Sequence, residues 1–126
     1  MKKNKNALPE LSKPEYAVMD VLWKNGKQSV SEAHNILKES HGWALSTVRT
    51  MMDRMAKKGT VSKTNFHGIF LYAPLISKPA GLAKMVKFFA ERVLNADPDS
   101  VVAMFSGSSE LSPKEIEELR ALLKEE

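Results

Sequence analysis

Three times in this chain a serine is followed three residues later by a glutamate, at the head of an apolar-periodic stretch: Ser12 with Glu15, Ser29 with Glu32, and Ser112 with Glu115. In such a capping box the hydroxyl accepts from the third helical N–H, and the glutamate carboxylate accepts from the serine's own N–H. Two donors that a helix start leaves unpaired are satisfied, so the pattern fixes where three helices begin. The first helix carries Tyr16, Met19, Val21, Leu22 and Trp23 on its apolar side, and Lys24-Asn25-Gly26-Lys27 breaks it with Gly26 at the cap. The second runs to about Ser40, with Val30, Ala33, Ile36 and Leu37 as its buried stripe, and His41-Gly42-Trp43 turns the chain into a third.

That third helix starts near Leu45 or Ser46 and puts Val48, Met51, Met52 and Met55 on one side, at the spacing of a stripe packed on a core. Its other side carries Ser46, Thr47, Arg49, Thr50, Asp53, Arg54 and Lys57. Lys57 and Lys58 fall in the last turn, where cations suit the helix dipole, and Gly59 stands where a left-handed cap is expected. Short donors near a helix start can reach base edges in a major groove, while arginine and lysine farther along grip phosphates. The same face could also be an ordinary solvated basic surface.

After Gly59 the period changes. The segment from Thr60 to Leu75 is rich in β-branched and aromatic residues around the turn Asn65-Phe66-His67-Gly68, which reads as a β-hairpin ended by Pro74. Lys63, Thr64, Asn65 and His67 are expected at or near its tip. Three short-linked helices followed by a hairpin is the element order of a winged helix-turn-helix domain, assigned to residues 1–76. A second region, residues 77–126, is helical. Leu82, Met85, Val86, Phe89 and Val93 recur at helical spacing with Phe88 beside them, and this stripe either packs on the winged domain or meets its copy from another subunit. Asp97-Pro98 opens a short helix with Val101, Val102 and Phe105, closed by Gly107-Ser108-Ser109. The last helix buries Ile116, Leu119, Leu122 and Leu123. The fold class is therefore mainly α with a small β-hairpin.

Charge divides along the same line. Residues 1–95 hold 16 Lys and Arg against 7 Asp and Glu, while residues 96–126 hold 3 against 8. The basic part, with Lys2, Lys3 and Lys5 in an expected loose arm, suits a polyanion, and the acidic tail would be repelled by one. There are no cysteines, so neither disulfides nor a thiolate metal site is expected. His34, His41 and His67 are spread over three elements, with no carboxylate pair to complete a metal shell. No nucleophile elbow, phosphate loop or paired carboxylate appears, so neither enzymatic activity nor a cofactor is expected. No apolar run approaches the ~18–20 residues that span a bilayer, and the lysine-bearing N-terminus lacks the apolar core of a secretory signal. A cytoplasmic location without membrane insertion is the expectation.

Several stretches together resemble the penicillinase repressor family (BlaI/MecI type), winged-helix regulators of β-lactam resistance genes. They are L-S-x-x-E at Leu11–Glu15, V-M-x-x-L-W at Val18–Trp23, T-V-R-T-x-x-x-R-x-x-x-K-G at Thr47–Gly59, F-L-Y-x-P-L at Phe70–Leu75, and L-S-x-x-E-I-E-E-L at Leu111–Leu119. The resemblance implies a homodimeric transcriptional repressor joined through its C-terminal helices, each subunit placing the third helix in the major groove of half a palindromic operator. The DNA-facing residues it implies are Ser46, Thr47, Arg49, Thr50 and Arg54, with Lys63 and His67 on the wing. Lys57 joins them from the exposed side of the helix. Arg49 and Arg54 could be base readers, phosphate clamps or solvated surface, with phosphate contact the working expectation and Thr47 and Thr50 the expected base readers. The implied dimer contacts are Leu82, Met85, Val86, Phe89, Val93, Val101, Phe105, Ile116, Leu119 and Leu123.

Family members are inactivated when a partner system with a membrane-spanning sensor protease triggers cleavage in the C-terminal region. The matching bond is Met104–Phe105, with Met104 where the best-known relatives have asparagine. Tyr16 likewise follows Glu15 in place of the usual tryptophan. The related copper-responsive branch binds metal through a cysteine-rich tail, which a cysteine-free chain does not supply. A winged-helix protein-interaction module without sequence-specific DNA binding is the alternative reading of the same face.

Overall fold

All three capping boxes form, and they set the architecture. Ser12 N–H donates to Glu15 Oε1 at 2.8 Å while Glu15 N–H donates to Ser12 Oγ at 3.2 Å, and the pairs at Ser29 and Ser112 match this geometry. The structure, a computed structural model, describes residues 8–124; the expected lysine arm at positions 2, 3 and 5 lies outside them. The order is α1 (Lys13–Asn25), α2 (Val30–His41), α3 (Leu45–Lys58), β1 (Val61–Phe66), β2 (Ile69–Pro74), α4 (Lys78–Phe88), a π-helical turn (Phe89–Val93), α5 (Pro98–Ala103) and α6 (Pro113–Lys124). The mainly helical fold with one antiparallel hairpin is thus as the sequence reads.

Residues 11–77 form one compact unit. Met19, Leu22, Leu37, Val48, Met52 and Met55 fill its centre, where each apolar stripe of α1, α2 and α3 meets the others. The indole N–H of Trp23 donates to Ile76 O at 2.9 Å, holding the segment after the hairpin against α1. Gln28, in the α1–α2 connection, exchanges backbone bonds with Tyr72 at 2.9 and 2.8 Å and ties the hairpin to the helices. Ile36 departs from the expected stripe of α2: it is exposed, because Val30, Ala33 and Leu37 alone complete that helix's contact with the core.

Glu15 does a second task besides capping α1. Its carboxylate takes the Lys58 ammonium from the end of α3 at 2.9 and 3.0 Å, so the first turn of one helix is pinned to the last turn of another. Burial opposes the charge, but the Ser12 N–H and Lys58 outweigh it and hold the carboxyl below the ordinary glutamate value of 4.5. A depressed folded-state value means that this stabilisation is complete above 4.5 and is lost as pH falls through the lower folded value. Glu15→Gln is therefore expected to cost about 1 kcal/mol at neutral pH and to flatten the acid limb of stability, read as urea midpoints down to about pH 3. Unchanged midpoints at neutral pH would remove this account of the clasp.

The second unit comprises residues 78–124 together with Leu8–Glu10. Ala83, Val86, Ala90, Val102, Ile116 and Leu119 are among its core residues, and Leu8 packs against them. Packing thus groups Leu8–Glu10 with the later helices rather than with the helix they precede. The apolar stripe expected over Leu82–Val93 is not one regular α-helix. It passes into the π-helical turn at Phe89, whose wider ring re-aims the side chains that follow. Ala90 turns inward while Phe88, Phe89, Val93 and Leu94 stay exposed. In α6, Leu122 and Leu123 are half-buried rather than fully enclosed.

Candidate nucleic-acid interface

The interface is built on α3. Val48, Met52 and Met55 are fully buried, which fixes the rotation of the helix and leaves Ser46, Thr47, Arg49, Thr50, Arg54 and Lys57 exposed. Met51, expected in the core stripe, is half-buried instead. It lines an open concavity of about 300 Å³ with Ser46, Thr47, Thr50 and Arg54. Met51 is the one apolar residue of that lining, a feature hidden in the sequence because position 51 lies on the flank of the buried arc. Ala44 caps α3 without a side-chain bond, so the first-turn N–H groups stay available at the positive end of the helix.

Arg49, Arg54 and Lys57 have no ion-pair partner among the described residues, whereas Lys58 is committed to Glu15. Three cations beside three hydroxyls, on a helix anchored by its far side, give a surface suited to a phosphate-lined groove. The one acid of α3, Asp53, does not break this field. Its Oδ1 accepts from Lys63 Nζ at 2.9 Å and from Tyr72 Oη at 2.6 Å. The Lys63 bond, then the Tyr72 bond, hold the Asp53 carboxyl below its ordinary range, and burial pushes the Tyr72 hydroxyl up.

Two expectations for the wing need correction. Lys63 is not near the tip: it pairs with Tyr72 in the middle of the hairpin, and its ammonium turns to Asp53 and lies 4.5 Å from the Phe70 ring centroid. The loop itself is shorter than the sequence reads, because Phe66 pairs with Ile69 and leaves only His67 and Gly68 between the strands. Both take positive φ, 53° and 87°, as a two-residue hairpin turn of the primed kind requires. Asn65 Oδ1 accepts the Gly68 N–H at 2.9 Å. His67 does stand at the tip, edge-on to Phe66. Sequence reasoning missed that Phe66, Ile69 and Phe70 would be exposed there. The signal was present in the strand alternation, which leaves apolar residues on a hairpin too short to be covered.

In the second unit, Leu82, Met85, Val86, Phe89, Val101 and Phe105 line one open apolar groove of about 340 Å³, and Met104 joins them. Ile116 and Leu119, expected among the dimer contacts, are buried in the unit's own core and do not line this groove. Val93 is exposed beyond the groove, and Leu123 packs against the core. Met104 is 73% exposed just after α5, and Phe105 beside it is half-buried.

The histidines have structural partners: His34 Nε2 lies 3.0 Å from Trp43 O, and His41 meets the Trp43 ring and Ser40 Oγ. Among the described residues no cluster of His, Cys, Asp or Glu could hold a metal ion, and no helix is long and apolar enough to cross a membrane.

Residues 11–125 match the family described as penicillinase repressor. The chain belongs to the penicillinase repressor family. It is similar to the penicillinase repressor of Bacillus licheniformis, 30% identical over 94% of this chain and 92% of that protein. Methicillin resistance regulatory protein MecI of Staphylococcus aureus is 32% identical over 94% of this chain and 96% of its own length. Among solved structures of penicillinase repressors, the monomeric form of B. licheniformis BlaI in complex with the blaP half-operator superposes with a TM-score of 0.52. It is 30% identical and covers 59% of this chain and 90% of that one. The winged-helix reading of the hairpin and the three helices before it agrees with that likeness.

Proposed function

We propose that this protein is a homodimeric transcriptional repressor that reads a palindromic operator with α3 in the major groove. The observation that carries the proposal is the exposed face of α3, where three hydroxyls near the start of the helix stand with three cations free of ion pairs among the described residues. The similar BlaI chain bound to a half-operator supports it. Thr47 and Thr50, with Ser46, face base edges; Arg49, Arg54 and Lys57 take phosphates; His67 brings the wing tip to the flanking backbone. Residues 1–76 serve DNA binding, and residues 77–126 dimerise through the groove lined by Met85, Phe89 and Met104. Relief comes from cleavage at Met104–Phe105, which a membrane sensor protease system triggers. The protein acts in the cytoplasm and catalyses no reaction itself.

The test is a titration of duplex DNA from upstream of the protein's own gene against an unrelated duplex of equal length. Arg54→Ala is expected to weaken both about eightfold per lost phosphate contact at 0.1 M salt. Thr50→Ala is expected to cost about 1 kcal/mol on the operator alone. Wild-type affinity in both variants would remove α3 from the contact.

A further inference from the structure

Asp53 is the only acid on α3, and it lies on the helix's exposed flank between Arg49 and Lys57, one turn from each. On a surface meant for phosphates a bare carboxylate is repulsive. Here it is not bare. One of its oxygens accepts from both strands of the hairpin, from Lys63 Nζ at 2.9 Å on β1 and Tyr72 Oη at 2.6 Å on β2. Lys63 and Tyr72 are direct cross-strand partners, so both side chains leave the same face of the hairpin. Tyr72 is held firmly in its own right: it is 2% exposed, and its backbone bonds in both directions to Gln28. The Lys63 ammonium is further drawn in by the Phe70 and Tyr72 rings, whose centroids lie 4.5 and 5.8 Å away.

We propose that Asp53 is a specificity-determining positioning residue, which clasps the hairpin to α3 and keeps the Lys63 ammonium from phosphates. The inference rests on the DNA-binding reading above and deepens it. A lysine on an exposed strand, if free, would swing onto any nearby phosphate and add affinity that ignores sequence. Held by a carboxylate, it adds no net charge to the interface and instead sets where the wing meets the helix. Discrimination then falls to the α3 hydroxyls, held at a fixed angle to the wing while Arg49, Arg54 and Lys57 take phosphates.

Salt dependence separates a clasp from a phosphate contact, because each phosphate contact adds about 0.9 to the slope of log affinity against log salt. The full-length protein is titrated with its upstream duplex and with an unrelated duplex, between about 50 and 200 mM salt. Lys63→Met alone is expected to leave the slope unchanged while weakening both duplexes alike, because it bares the Asp53 carboxylate without removing a phosphate contact. Asp53→Asn, nearly the same size, is expected to steepen the slope by about 0.9 per released lysine and to tighten the unrelated duplex several-fold. The ratio of upstream to unrelated affinity then falls, and adding Lys63→Met to Asp53→Asn returns the slope to its starting value. Tyr72→Phe, which keeps the buried ring and removes the 2.6 Å bond, is expected to give a smaller shift of the same sign.

A slope that drops by about 0.9 per lost lysine in Lys63→Met with Asp53 intact overturns the proposal, because Lys63 then contacts phosphate already. So does an Asp53→Asn effect that Lys63→Met does not reverse. If Asp53→Asn fails to fold, Lys63→Met and Tyr72→Phe still decide the matter. Wild-type protein that binds neither duplex sinks the DNA-binding reading itself, a failure distinct from the other two.

Discussion

Operator affinity is expected to fall about a thousandfold as salt rises from 50 to 200 mM. The figure follows from the cations that the structure leaves unclaimed. On the proposed reading Arg49, Arg54 and Lys57 would supply three phosphate contacts per subunit, while Lys58 is held by Glu15 and Lys63 by Asp53. A dimer then displaces about six counterions, for a slope near −5, and a fourfold change in salt moves affinity by roughly three powers of ten. Counting every lysine and arginine of the winged unit would give a far steeper slope. Fluorescence anisotropy on a labelled duplex at four or five salt concentrations reads the slope directly. A flat response would show that this face does not meet DNA backbone.

Phe89→Asp is expected to produce a 14.1 kDa monomer and to weaken operator binding by about 10²–10⁴-fold. Phe89 lies in the π-helical turn and lines the apolar groove with Met85 and Met104. Because its ring is already partly in solvent, the substitution leaves the unit's own core, around Ala90, Val102 and Leu119, intact. An aspartate in a dimer seam would be buried without a partner, which association cannot tolerate. The loss of affinity comes from losing the second half-site's tether, since Phe89 itself is not among the DNA-facing residues. The salt slope of this variant should also fall to about half, tying the two predictions together. Sedimentation at micromolar concentration checks the mass; a variant that sediments like wild type, or a wild type that is already a monomer, refutes the seam.

Much of the fold was legible because its signals are local. Each capping box is a four-residue motif whose geometry depends on nothing outside itself, and all three form as read. The stripe of α3 was nearly right for the same reason, since Val48, Met52 and Met55 share one arc of the helix whatever packs on it. What the sequence did not disclose depends on contacts between elements. Ile36 fits the period of α2 as well as Leu37 does, yet only the angle at which α2 meets its neighbours decides which is covered. The π-helical turn moved Val93 off the stripe that Phe89 still shares with Leu82, Met85 and Val86, and no residue type there announces it. At the interface, hydroxyls and cations could be placed on α3 by counting along the helix. The fate of Lys63 could not, because Asp53 and Lys63 are ten residues apart and meet only once the hairpin folds back.

The placement of the methionines bears on oxidative damage. Met19, Met52 and Met55 are sealed in the first unit's core, whereas Met104 is 73% exposed and Met85 opens onto the same groove. Peroxide converts accessible thioethers to sulfoxides first, making a greasy side chain polar. In an oxidising cell a subunit not yet paired would therefore have its proposed pairing surface chemically altered well before the anchor of α3, and the grip on the operator would weaken while each winged unit stayed whole.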